Sequence, residues 1–306
     1  MKKTDAMELA KGCLGDLVES LNNGSTESLT RYLDALAKFR NYSLNNILMI
    51  MKQYPSAESV AGYKTWKELG RWVKPGERGI AIIAPMARRS LIEQNKKEVA
   101  NTNPSNDAKD KTDDHPFGFR VVHVFDVKQT EGADLPKLSE VNDDPGMAYE
   151  LLIDVFGSLG IRIMREHLPN GTLGASRGGM VVLSQGMNLG QEFQVMAHEL
   201  AHELLHQGAE RHHSRLPIQV VETEAEAVAY VVCKAHGIDA TAATNDYIRL
   251  YRGDAKLIEE SFNRIRGAAG KILFLMSEAE EARKVTEESL VAGYDDTISA
   301  VWKHSS

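Results

Sequence analysis

The sequence predicts an α+β fold: N-terminal helices with a small antiparallel sheet, then a mostly helical second domain with a short sheet. Three observations carry this expectation. Apolar residues recur at helical spacing through the first fifty residues and again through the second half. Two runs rich in β-branched residues, bounded by breakers, lie between them. A histidine-rich helical stretch follows a glycine-rich segment and a short apolar run. At 306 residues, two ordinary cores are expected in preference to one large one.

In chain order, Leu9, Cys13, Leu14, Leu17, Val18 and Leu21 mark a first helix, stopped by Asn22-Asn23-Gly24. Ser25 can cap a second helix with Leu29, Leu33 and Leu36 inward. A third runs from about 43 to 53 and ends before Tyr54-Pro55. Strands are expected over 79–85 and 119–127, joined antiparallel across a polar segment, 93–116, read as a mobile hairpin tip. The first domain then covers 1–133 and a polar linker 134–145. The second domain, 146–306, opens with a helix over 147–159. Next come the glycine-rich 171–179, a strand over 180–183, a helix over 191–207, another over 220–236, and an amphipathic C-terminal pair.

Composition excludes several classes. No apolar run is long enough to span a bilayer, so no membrane partner is expected. After Met1-Lys2-Lys3 come Thr4, Asp5 and Glu8, unlike a secretory signal. Cys13 and Cys233 are the only cysteines and fit no metal spacing, which points to a reducing cytoplasm. The net charge of −7 is uneven: from Lys38 to Arg89, ten Lys and Arg face three Glu. That window is therefore +7 and leaves −14 for the remainder, which suggests a local face for a polyanion.

The most informative stretch is His198-Glu199-Leu200-Ala201-His202. Residues four apart on a helix stack over one another, so two imidazoles can converge on one zinc ion while Glu199 reaches the water beside it as general base. His202-Glu203-Leu204-Leu205-His206 is an overlapping second copy. One ion cannot take all three histidines, because His198 and His206 stand roughly 12 Å apart along the axis. The first copy is preferred for its small and apolar approach, Val195-Met196-Ala197. A third ligand is expected from the next helix, where Glu222 and Glu226 share a face. Glu222 is read as the ligand and Glu226 as the group that orients a histidine from behind. The strand over 180–183 is a candidate edge for an extended peptide.

These residues resemble a known combination. His198 to His206, followed by Glu222-Thr-Glu-Ala-Glu226, looks like the zincin-type metallopeptidase domain of ImmA/IrrE and ArdC-type proteins. The first half is similar to the ArdC-type single-stranded-DNA-binding domain through Tyr42-Ser43-Leu44-Asn45-Asn46, Tyr63 to Gly70, Val73 to Gly79 and Val124-Phe125-Asp126-Val127. The resemblance implies a mobile-element protein that binds single-stranded DNA and protects incoming DNA from restriction, joined to a zinc metallopeptidase of the gluzincin type. It leaves two further readings open: a regulatory metalloprotease with a specific protein partner, and a DNA-protection protein whose zinc is not catalytic. Single strands are held by basic grooves with aromatic platforms. The expected DNA contacts are therefore Asn45, Asn46, Lys64, Trp66, Arg71, Lys74 and Arg78, with Trp72 among the same cations.

Overall fold

The computed structural model describes residues 1–86, 118–133, 144–206, 216–240 and 255–303, with side chains in the last stretch through 286. The expected hairpin tip at 93–116, most of the 134–145 linker, Arg88 and Arg89 lie outside the described residues. The helices are α1 (Lys3–Asn22), α2 (Thr26–Lys38), α3 (Leu44–Gln53), α4 (Tyr63–Glu68), α5 (Met147–Ser158), α6 (Leu189–Leu205), α7 (Ile218–Ala235) and α8 (Ala255–Lys303). The strands are β1 (Val60–Gly62), β2 (Arg71–Val73), β3 (Ile80–Pro85), β4 (Phe119–Asp126), β5 (Thr130–Gly132), β6 (Arg162–Glu166), β7 (Gly174–Ser176) and β8 (Met180–Ser184). The protein is α+β, as the periodicities predict. Of the expected C-terminal pair, the described residues hold one helix of 49 residues, α8, while 241–254 lie outside the described residues.

The chain divides into two compact units, Met1–Asp16 with Asn45–Leu135, and Leu17–Leu44 with Pro136–Ser306. The first differs from the 1–133 domain expected from the sequence, because α2 packs within the second unit.

In the first unit β3 and β4 pair antiparallel from Ile80↔Val124 to Pro85↔Phe119, and β1 flanks β4 on its other side. Ala6 and Ala10 of α1 meet Met49 of α3 over this sheet, with Leu9, Ile83 and Val121 around them. The outer edge of β3 is not left bare. Asn46 and Gln53, two turns apart on α3, each use a side-chain amide as a strand would use its backbone. Asn46 donates to Ile83 O at 2.8 Å and accepts from Ile83 N at 2.9 Å. Gln53 does the same with Ala81, at 2.8 and 3.0 Å. An open row of strand donors and acceptors invites foreign pairing, and two amides here close it. Asp126, fully buried, accepts from the backbone N–H groups of Glu58, Ser59 and Lys128 at 2.7–3.0 Å and so ties β1 to the end of β4.

In the second unit β8 is the middle strand of a three-stranded sheet, parallel to β6 and antiparallel to β7. Val181, Val182 and Leu183 are fully buried, and a continuous apolar run is what a strand covered on both faces requires. The helices of this unit contribute further buried residues: Leu152 and Phe156 of α5, Phe193 and Leu200 of α6, Val228 of α7, and Phe262 and Ile272 of α8. Helix α2 adds Leu29, Tyr32, Leu33 and Leu36. Its N-terminus is capped by Ser25, as expected, and the Tyr32 ring lies 4.6 Å from that of Phe262. Tyr230 on α7 donates to Asp34 of α2 at 2.7 Å.

Candidate metal centre

Helix α6 starts where its sequence can cap it. The Asn188 side chain accepts from Gln191 N at 2.8 Å, and the Gln191 side chain accepts from Asn188 N at 3.4 Å, a reciprocal capping box. Phe193, Met196, Ala197, Leu200 and Ala201 face the core, which fixes the rotation of the helix and leaves its histidines along one margin.

His198 and His202 bring their Nε2 atoms to 2.9 Å, with ring centroids 4.7 Å apart and planes at 76°. Glu222, from α7, places Oε2 at 3.5 Å from both nitrogens. Among the described residues these three form the cluster whose ligand atoms can hold one cation. Two neutral imidazoles and one carboxylate, lining a cavity of about 840 Å³, are a donor set that fits one divalent cation. Burial lowers the pKa of both rings, and for His198, to about 4, the neighbouring His202 adds to the effect. Both are therefore neutral near pH 7, the state in which a ring nitrogen can ligate.

Glu199 is buried beside them, 6% exposed. Burial raises its pKa to about 7, and the Glu222 charge pushes the same way. The backbone N–H of Ser176 opposes this, and Glu203 adds a smaller upward push. A carboxyl balanced near neutrality can both take and return a proton.

Of the two overlapping motif copies, the first has its carboxylate at the cavity. Glu203, the middle glutamate of the second, is engaged elsewhere: it accepts from Ser176 Oγ at 2.7 Å and from Gly178 N and Gly179 N, each at 2.8 Å. His206 is the C-cap of α6, with Nε2 3.8 Å from Glu224 Oε2. Glu224, which the sequence offered no role, is fully buried and receives Arg264 from α8 at 2.6–3.1 Å. Glu226 lines the cavity, while Glu222 is the carboxylate that reaches both rings.

One expectation is corrected here. The strand over 180–183, a candidate for pairing with a peptide, is the buried centre of its sheet. Among the described residues the outer edge of the sheet beside the cavity belongs to β7, hidden from sequence reading inside the glycine-rich 171–179. Gly174 explains why that segment is rich in glycine: a Cβ there would come within 2.6 Å of Glu199 Oε1 and of Val195 Cγ1.

The expected DNA contacts in the first unit divide. Trp66 is 1% exposed and donates Nε1–H to Phe125 O at 2.9 Å, so no base can stack on it. Arg71 is buried, its guanidinium spent on Thr130 Oγ1, Thr130 O and Ala133 O. Asn46 is buried and bound to Ile83 at both ends of its amide. These three belong to the architecture. Asn45, Lys64 and Arg78 are exposed, and Lys74 is half-buried with Nζ donating to Lys128 O at 2.9 Å. Trp72, between inward-facing Arg71 and Val73 on β2, is 51% exposed, and Tyr63 on α4 is 56% exposed. Strand alternation is the signal that assigns Trp72 outward once Arg71 is known to be inward.

Residues 8–125 match the model of the N-terminal domain of the anti-restriction factor ArdC, and residues 156–268 match a peptidase-family model described as the IrrE N-terminal-like domain. The chain is 26% identical to an uncharacterized protein of Bacillus anthracis over 94% of its own length and 55% of that protein, so it spans about half of the curated relative it matches. Among solved structures it is similar to the antirestriction ArdC protein from the R388 plasmid. The metal-free form is 15% identical with a TM-score of 0.42, over 76% of this chain and 85% of that one. The Mn(II)-bound form is 16% identical with a TM-score of 0.48, over 89% and 97%.

Proposed function

We propose that this chain, which joins an ArdC-type N-terminal domain to an IrrE-type domain, protects the DNA of a mobile element from restriction, binding single strands with its first unit and carrying a zinc-dependent peptidase centre in its second. The observation that carries the catalytic half is the convergence of His198, His202 and Glu222 beside a buried Glu199 at the mouth of a cavity. His198, His202 and Glu222 would hold the ion; a bound zinc lowers the pKa of water toward neutrality and polarises a carbonyl. Glu199 takes the proton of the attacking water and delivers it to the leaving amine, a sequence its pKa near 7 allows in both directions. Among the described residues no strand covers the outer edge of β7, whose backbone groups would pair with an extended polypeptide, which favours a protein or peptide substrate. Two buried free cysteines fit a reducing cytoplasm, and no described helix is long and apolar enough to cross a membrane.

Metal analysis tests the centre. The purified chain should hold about one zinc per molecule, and His198→Ala and Glu222→Ala should each lose it. Glu199→Gln should keep the metal and lose all cleavage; cleavage at the wild-type rate would remove Glu199 from its role. For the first unit, affinity for single-stranded oligonucleotides should fall steeply with salt and vary little with sequence. Salt-independent binding would rule out a phosphate-tracking surface.

A further inference from the structure

Successive turns of α6 aim two glutamates, Glu199 and Glu203, at the same short strand. Glu203 holds β7 and the turn that follows it by three hydrogen bonds of 2.7–2.8 Å, from Ser176 Oγ and the amides of Gly178 and Gly179. Both glycines have positive φ, 70° and 78°, so their N–H groups turn to one side and make a concave seat for an anion. Hydrogen bonds to a carboxylate are the stronger kind, and here one acts on the end of β7 and two on the turn that follows. On the same strand, Gly174 approaches Glu199 so closely that a Cβ would stand 2.6 Å from Oε1. Strand β7 has only three residues and, among the described residues, pairs with β8 alone, so its ladder does little to fix its distance from α6.

We propose that Glu203, Ser176 and the Gly178-Gly179 turn form a clasp that positions β7 against the Glu199 carboxylate. Glu203 is thus a positioning residue for the proton-accepting group and for the edge on which an extended peptide would pair. The repeated His-Glu pattern of α6 then has two purposes: one glutamate for chemistry and the next, a turn later, for the strand beside it. This inference rests on the hydrolase reading of the centre, and its test separates the two.

Two measurements on the full chain decide it. Hydrogen exchange of the metal-free protein reads the clasp directly: Ser176→Ala and Glu203→Gln should speed exchange at Gly178 and Gly179 by about tenfold or more. In the cobalt-loaded protein, visible absorbance reads titration with acetohydroxamate, a chelator whose polar hydrogens bond to the Glu199 carboxylate. Both variants should bind cobalt at one per chain yet weaken acetohydroxamate by about tenfold, approaching Glu199→Gln. Ser176→Thr, which retains a hydroxyl, should restore both properties. Faster exchange with wild-type acetohydroxamate affinity would reduce the clasp to a turn stabiliser and overturn the proposal, as would unchanged exchange. Failure of the unaltered chain to bind cobalt, or undiminished binding by His198→Ala, would instead sink the metal reading and this role with it.

Discussion

Trp66 and Trp72 stand six residues apart among the same cations, and the structure sends one into the core and the other to solvent. Trp66 is the single buried residue of the six-residue helix α4, so Trp66→Ala should cost about 3–5 kcal/mol of stability in denaturant unfolding. Trp72→Ala should leave stability nearly unchanged and weaken single-stranded DNA by roughly 5–100-fold in a titration at fixed salt, the loss of one stacked base. Equal affinity in the two proteins would take Trp72 out of the interface. His236 makes a second residue-scale case. It caps the C-terminus of α7 edge-on to Phe193, and its buried Nε2 has no hydrogen-bond partner among the described residues. Burial, then the Arg40 charge, lower its pKa to about 4, with Glu280 opposing. The folded state thus binds fewer protons than the unfolded state between pH 4 and the ordinary histidine range. The stabilising contribution is complete above about pH 6.5 and is lost as pH falls toward 4, by at most about 3 kcal/mol. Urea unfolding at pH 7 and pH 4.5 should show a smaller loss in His236→Gln than in the parent; identical slopes would remove His236 as the cause.

Elements differ in how plainly the sequence declared them. Helix α6 was legible because its two histidines and its apolar stripe agree on one period and one rotation, although its start at the Asn188 cap lay before the expected 191. Strands β3 and β4 were legible because each is a run of β-branched residues between breakers. By contrast β1, β2, β5 and β7 have three residues each, too few for alternation to register, and exist because a neighbouring strand completes their ladders. Arg71 and Asn46, polar side chains in a basic stretch, looked like surface groups for a related reason of distance. What buries them is a partner far along the chain, Thr130 for one and Ile83 for the other. Strand β7 was hidden by its three-residue length inside a glycine-rich stretch, where Gly174 comes close to Glu199. Gly174→Ala should leave the fold and the metal content intact and move the end of the flexible Glu199 side chain, cutting cleavage by about tenfold or more. Full activity in that variant would show that the close approach is incidental.

At the scale of the whole molecule, the division into units does not follow the order of the chain. Leu17–Leu44 belongs with Pro136–Ser306, so the unit that carries the metal centre is built from two separate stretches. An amphipathic face such as that of α2 announces that something covers it but not what, and the sequence placed α2 with its neighbours. A fragment beginning at 136 should therefore unfold at lower denaturant than the second unit of the intact chain, because Tyr230 loses Asp34 and Phe262 loses Tyr32. Adding a peptide of residues 17–44 should restore the midpoint; a fragment as stable without it would make α2 dispensable.

The same interleaving bears on how the protein is made. During translation α2 leaves the ribosome early, but Phe262, against which Tyr32 packs, follows it by more than two hundred residues. At about 5–20 residues per second that interval is roughly 10–50 s. For that time a nascent chain displays an unmatched greasy helix while the segment between is free to fold, which gives chaperones a defined window and a defined target.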